Sequence, residues 1–128
     1  MLFQIDLGGH SLDEVFSIGR KHLKAPEIVW DLAEEKVRGI WENLSEIDSL
    51  IREYVKNWGD LERLTTIDKN ILRLGVYELL YEDDIPTGVV MAEAVKLAEL
   101  YGTENSARFV NGVLSSIARR VRQNGQDT

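Results

Sequence analysis

Apolar residues recur at steps of three and four along nearly the whole chain, which is the spacing of one face of an α-helix. Between Pro26 and Trp58 they fall at Val37, Ile40, Trp41, Leu44, Ile47, Ile51, Tyr54 and Trp58, one continuous stripe. Ser45 with Asp48 three residues on offers a fresh cap, so this stretch reads as one helix or as two with a kink between them. From Thr65 to Glu82 the apolar positions Ile67, Ile71, Leu72, Leu74, Val76, Leu79 and Leu80 cover more than half the circumference. Such a helix is buried on several sides and is expected at the centre of the fold. Thr87 to Tyr101 carries Val90, Ala94, Leu97, Ala98 and Tyr101, then stops at Gly102, a helix-ending glycine. A last helix, from Thr103 or Glu104 through Arg122, carries Val110, Val113, Leu114, Ile117 and Val121.

The start of the chain is read the same way. Met1 to Leu7 is a short apolar-rich segment ended by Gly8 and Gly9. Ser11 and Glu14 form a capping box ahead of a helix that places Leu12, Val15, Phe16 and Gly19 on one side. Pro26 and Pro86 both stand where a helix begins, a position at which the missing N–H goes unnoticed. No alternating strand pattern is present. The expected fold class is all-α: six to seven helices, no sheet and no repeat, with Gln123 to Thr128 as a frayed tail.

Composition narrows the class. A chain of 128 residues, 44% hydrophobic and 29% charged, is one ordinary globular domain's worth. It has no cysteine, which excludes disulfides, thiolate metal sites and a cysteine nucleophile. The longest uncharged run, Phe109 to Ala118, is well short of the roughly 18 residues of a membrane helix. No secretory signal pattern opens the chain, so the cytoplasm is the expected compartment. The net charge of −7 argues against tight non-specific phosphate binding. That charge is uneven: from Ala107 onward Arg108, Arg119, Arg120 and Arg122 face Asp127 alone.

No catalytic constellation emerges. His10 and His22 lie near turns, and neither follows the Glu-x-x-His spacing of di-iron bundles. His10 beside Ser11 is accounted for by a solvated loop and a helix cap. The adjacent pairs Glu34-Glu35 and Asp83-Asp84 do not face each other on a helix and read as solvated charge. Metal-binding and phosphate-binding glycine motifs are absent, and no cofactor is expected. Trp30, Trp41 and Trp58 read as packing residues.

One surface stands out. At 100° per residue, with Arg108 at zero, Arg119 falls at about +20°, Arg122 at about −40°, Asn111 at about −60°, Gly112 at about +40° and Ser115 at about −20°. The apolar positions gather on the opposite side, and Phe109 sits at the edge. Arginine, amide and a border aromatic are what single-stranded RNA recognition uses. Spacing alone favours a plainer account, since arginines late in a helix also complement its dipole. Tyr101, closing an apolar stripe, is by spacing alone a half-buried core residue.

The stretch from Leu64 to Arg119 closely resembles one family, the bacterial transcription antitermination factor NusB. The resemblance rests on Ile67–Leu80 (IDKNILRLGVYELL), Asp84–Pro86, Glu93–Ala98 (EAVKLA), Tyr101–Ser106 (YGTENS) and Arg108–Leu114 (RFVNGVL), in the family's order and spacing. The N-terminal half matches more loosely. The resemblance implies two packed helical bundles, here residues 1–60 and 61–122, within a single compact domain. It implies a non-catalytic protein that binds boxA RNA jointly with NusE, a ribosomal protein that doubles as a transcription factor. Their complex helps RNA polymerase read through terminators, notably on ribosomal RNA operons. Matched by position, Arg108, Phe109 and Asn111 belong to the RNA surface and Tyr101 lies beside it. Arg119 and Arg122 join them from the wheel. Phe3 and Asp68 match positions where RNA and protein partner meet.

Departures from the family pattern shape the expectation. Family members open with an arginine-rich segment, whereas this chain starts at Met1-Leu2-Phe3. Ala92 stands where asparagine is common, and Asn105 replaces a common acidic residue near the RNA face. Weak RNA binding alone and stronger binding with the partner are therefore expected. The alternative is a helical protein–protein module that has lost useful RNA affinity. A module of a methyltransferase is a third reading, for which 128 residues leave no room. A homodimer through the partner surface is a further possibility that the resemblance raises.

Overall fold

The computed structural model describes residues 27–55 and 64–122, with side chains described from Asp31. The expected Met1–Leu7 segment, the Ser11–Glu14 capping box, His10, His22, Phe3, Pro26, Trp58 and the tail from Gln123 lie outside the described residues, as does the Trp30 side chain. Five helices and no strand occur among the described residues: α1 (Glu27–Glu42), α2 (Leu44–Tyr54), α3 (Thr66–Tyr81), α4 (Thr87–Tyr101) and α5 (Ser106–Val121). The all-α class follows from the sequence periodicity as expected.

The long stripe of the first half is two helices. The break falls at Asn43, whose N–H reaches the carbonyls of both Gly39 and Ile40 at 3.2 Å. Its side-chain amide also donates to Gly39 O at 2.8 Å. The expected capping pair of Ser45 and Asp48 is not the cause, because the Asp48 carboxylate is engaged elsewhere, by Arg73. The same break divides the chain into two compact units, Met1–Asn43 and Leu44–Thr128. In the first, α1 buries Val37 and Ile40, while Trp41, expected to pack, is 44% exposed.

In the second unit α3 packs against α2, α4 and α5, and α5 against α2, α3 and α4. Because α2 packs on α3 and α5, it belongs with the later helices; the expected boundary between residues 60 and 61 lies outside the described residues. The core joins Ile47 and Ile51 of α2, Leu72, Val76 and Leu79 of α3, Val90, Ala94 and Ala98 of α4, and Val110, Val113, Leu114 and Ile117 of α5. These are mostly the apolar positions whose spacing predicted the helices, since a 3.6-residue repeat keeps one stripe turned inward.

Local signals set the helix ends. Thr65, in extended backbone, caps α3 by accepting the Asp68 N–H at 3.1 Å. Pro86 is the N-cap of α4, one residue before the helical position expected for it, and its carbonyl accepts from Val89 and Val90. Gly102 ends α4 with φ −94°, so its role is not a left-handed turn. A Cβ there would lie 2.5 Å from Ser106 Cβ and 2.8 Å from Ala98 O, and only glycine fits.

Two buried arginines tie the helices together. Arg73 of α3 meets Asp48 of α2 through Nε–Oδ1 and Nη2–Oδ2 bonds, each 2.9 Å, and donates to Asn70 Oδ1 at 3.1 Å. Arg122, just past α5, donates to the carbonyls of Glu78, Leu79, Glu82 and Ile85 and to the Thr87 hydroxyl. Its guanidinium thus caps the C-terminal end of α3, where the carbonyls carry partial negative charge, and it adds a second donor to Glu78 O and Glu82 O, which already accept backbone N–H groups.

Candidate nucleic-acid interface

The last helix is two-faced. Its inner side buries Val110, Val113, Leu114, Ile117 and Ala118. Its outer side exposes Arg108, Asn111, Gly112 and Arg119, with Phe109, Ser115 and Ser116 partly exposed along its edges. Wheel reading and structure agree on these positions because all lie within the regular helix.

The helix is fixed at its start by a small turn. Ser106, 1% exposed, accepts the Thr103 N–H at 2.9 Å and lies 3.2 Å from the Thr103 hydroxyl. Its own N–H donates to Thr103 O at 3.1 Å. This turn joins α4 to α5 and brings Tyr101 to the same end of the helix pair as Arg108. Tyr101 is 64% exposed, so it is not the half-buried core residue that spacing suggested. Tyr101 and Arg108 are thus both exposed, at the helix ends joined by this turn.

The arginines of this end have different fates. Arg108 is exposed and faces no carboxylate in any ion pair among the described residues. Arg119 lies along its own helix, donating to Ser115 Oγ at 3.2 Å and Ser116 Oγ at 3.3 Å, which holds the guanidinium on the outer face. Arg120 turns aside to Glu53 of α2 at 2.8 Å. That pairing holds the Arg120 guanidinium even more firmly protonated than usual.

Arg122 does not belong to this face. The helical wheel placed it there by extending 100° steps past the helix, but α5 ends at Val121 and Arg122 has φ −123° and ψ 65°. The chain turns inward at that residue. Its side chain is 5% exposed and its donors are taken by the end of α3.

Asp68, expected at a partner surface, is 8% exposed. Its Oδ1 is buried without a hydrogen bond, as is Asn70 Nδ2 nearby in sequence. In the first turn of α3 the carboxylate favours the positive end of the helix dipole. Glu35, Asp83 and Asp84 are exposed as expected of solvated charge, whereas Glu34 is partly buried and pairs with Arg38 at 3.0 Å. Among the described residues no cluster of three or more His, Asp or Glu side chains could hold a metal ion, and no helix is long and apolar enough to cross a membrane.

Gly112 also stands exposed on this outer face. A glycine inside a helix is a weak signal by itself. It acquires weight only once its surroundings are known.

Comparison with known proteins places the chain. A model of the NusB family matches residues 1–119. The transcription antitermination protein NusB of Thermotoga maritima is 54% identical over 87 residues, 68% of this chain and 61% of that protein. The match thus spans about three-fifths of that relative's length. The NusB protein of Sorangium cellulosum is 39% identical over 127 residues, 99% of this chain and 90% of that one. Among solved structures, T. maritima NusB superposes with a TM-score of 0.84 at 41% identity, covering 98% of this chain and 87% of the other. A structure of the antitermination factors NusB and NusE in complex with double-stranded RNA matches with a TM-score of 0.79 at 32% identity, covering 93% and 88%. With a family match over nearly its whole length, this chain belongs to the NusB family.

Proposed function

We propose that the chain is a transcription antitermination factor that binds boxA RNA together with NusE and helps RNA polymerase read through terminators, notably on ribosomal RNA operons. The role is non-catalytic and cytoplasmic. The observation that carries it is the outer face of α5, where Arg108, Asn111 and Arg119 stand exposed opposite a fully apolar inner face. In this reading Arg108 and Arg119 meet phosphates, Asn111 reads a base edge, and Phe109 and Tyr101 offer rings for stacking. A similar solved structure holds NusB and NusE in complex with double-stranded RNA, which supports the same kinds of partner here.

A second reading is favoured by charge. With Arg122 buried, the face holds two exposed arginines in a chain of net charge −7. Few phosphate contacts mean modest affinity and a shallow salt dependence. A helical module that binds NusE with little RNA affinity of its own would fit that arithmetic.

Fluorescence anisotropy of a short labelled boxA RNA separates the two. The chain is titrated at two salt concentrations, with and without NusE, against a scrambled RNA. The antitermination reading expects preference for boxA, tightening with NusE, and a loss of about tenfold or more in Arg108→Glu with NusE binding unchanged. NusE binding without any RNA binding, even in the joint complex, would leave the interaction module.

A further inference from the structure

Gly112 sits in the middle of α5, where glycine weakens a helix relative to alanine. Two internal reasons normally explain a glycine in such a place: a left-handed backbone, or a neighbour too close for a side chain. Gly75 of α3 has the second reason, since a Cβ there would lie 2.7 Å from Leu114 Cδ1. Gly112 has neither. Its backbone is regular helix, and a Cβ built on it would meet nothing within 4 Å among the described residues. The fold as it stands does not need a glycine there.

Its surroundings do suggest a use. Residues three and four apart are neighbours on a helix surface. Arg108 and Phe109 therefore flank Gly112 on one side, Ser115 and Ser116 on the other, with Arg119 one turn further. The exposed arginines, Arg108 and Arg119, stand about 16 Å apart along the axis. Between them the missing side chain leaves a notch that exposes helix backbone in the middle of the positive face. Resting on the antitermination reading, we infer that Gly112 is a close-approach contact for RNA. A nucleotide packs its sugar or base edge directly on the α5 backbone at Gly112, while Arg108 and Arg119 hold phosphates to either side. The positive charge bracketing the notch favours a polyanion over a protein surface as its occupant.

The test uses two measurements that a purely structural role would move together and a contact role moves apart. Gly112→Ala is expected to raise the melting temperature by about 2–4 °C, because the methyl enters open space and the unfolded chain loses freedom. The same variant is expected to weaken binding of the labelled boxA RNA three- to tenfold, and Gly112→Leu by more than thirtyfold. Gly88→Ala is the control, since Gly88 is also exposed with nothing within 4 Å of its Cβ position but lies on α4. It should leave RNA binding unchanged. Wild-type RNA affinity in Gly112→Ala would overturn the inference and leave the antitermination reading intact. Unchanged RNA binding with weakened NusE binding would also overturn it, reassigning the notch to a protein contact. If the wild-type chain binds no RNA, alone or with NusE, both the reading and the inference fall.

Discussion

Gly75 of α3 and Leu114 of α5 meet so closely that the two helices approach through the absence of a side chain. A Cβ on Gly75 would fall 2.7 Å and 2.9 Å from the two methyl carbons of Leu114, which is itself fully buried. Those methyls are the far end of a flexible side chain, but the packed core leaves them little room to turn. Gly75→Ala is therefore expected to destabilise by about 1–3 kcal/mol through overpacking. Leu114→Val removes the colliding methyls, so in the double variant the two costs should add to less than their sum. Urea unfolding of the four proteins measures this, and strict additivity would mean the contact does not set the helix spacing.

Arg122 carries a different kind of joint. Its guanidinium serves five acceptors at the end of α3 and the start of α4. Arg122→Met removes the donor to the Leu79 and Ile85 carbonyls, while Glu78 O and Glu82 O keep backbone N–H partners, at a cost of about 2–3 kcal/mol. Arg122→Lys should recover little, because one ammonium cannot span a fork of acceptors. Well below its lowered melting temperature, Arg122→Met should bind RNA as the wild type does. A selective loss of RNA affinity in a folded Arg122 variant would return this residue to the interface.

The buried pair of Asp48 and Arg73 invites a cycle. Arg73→Met leaves Asp48 buried without its counter-charge, which should cost about 3–5 kcal/mol. Pairing it with Asp48→Leu removes the stranded charge and should recover much of that loss. Equilibrium unfolding of both singles and the double decides it. A double variant no better than Arg73→Met would show that packing, and not the charge, dominates at this site.

Tyr81 supplies a pH dependence. Although Tyr81 is 40% exposed, its partial desolvation, and then its interaction with the Glu46 carboxylate, push its hydroxyl above the usual 10.0. A group held protonated by the fold stabilises fully below the unfolded value. That contribution fades as pH rises through the folded value. Stability should thus fall above pH 10.0 more steeply in the wild type than in Tyr81→Phe, as followed by thermal melts across that range. Parallel curves would mean that Tyr81 ionises equally in both states.

The helices and most of their inward faces were legible in the order of residues alone. Val110, Val113, Leu114 and Ile117 were spaced as a stripe and all four are buried, because helical periodicity is a local property that neighbouring residues impose on one another. Arg108, Asn111 and Arg119 were legible on the outer face for the same reason. Contacts between residues far apart in the chain set what local spacing cannot encode. Arg122 followed the wheel on paper, yet the helix stops at Val121 and carbonyls some 40 residues earlier in the chain draw the guanidinium inward. Asp48 had the spacing of a cap, but a buried arginine 25 residues away is the stronger partner for its carboxylate. Tyr101 and Asp68 exchanged their expected surroundings, one exposed and the other buried. Gly112 shows the division most plainly. Its identity was always in the sequence, but only the open space around it separates a glycine the core requires from one the core can do without.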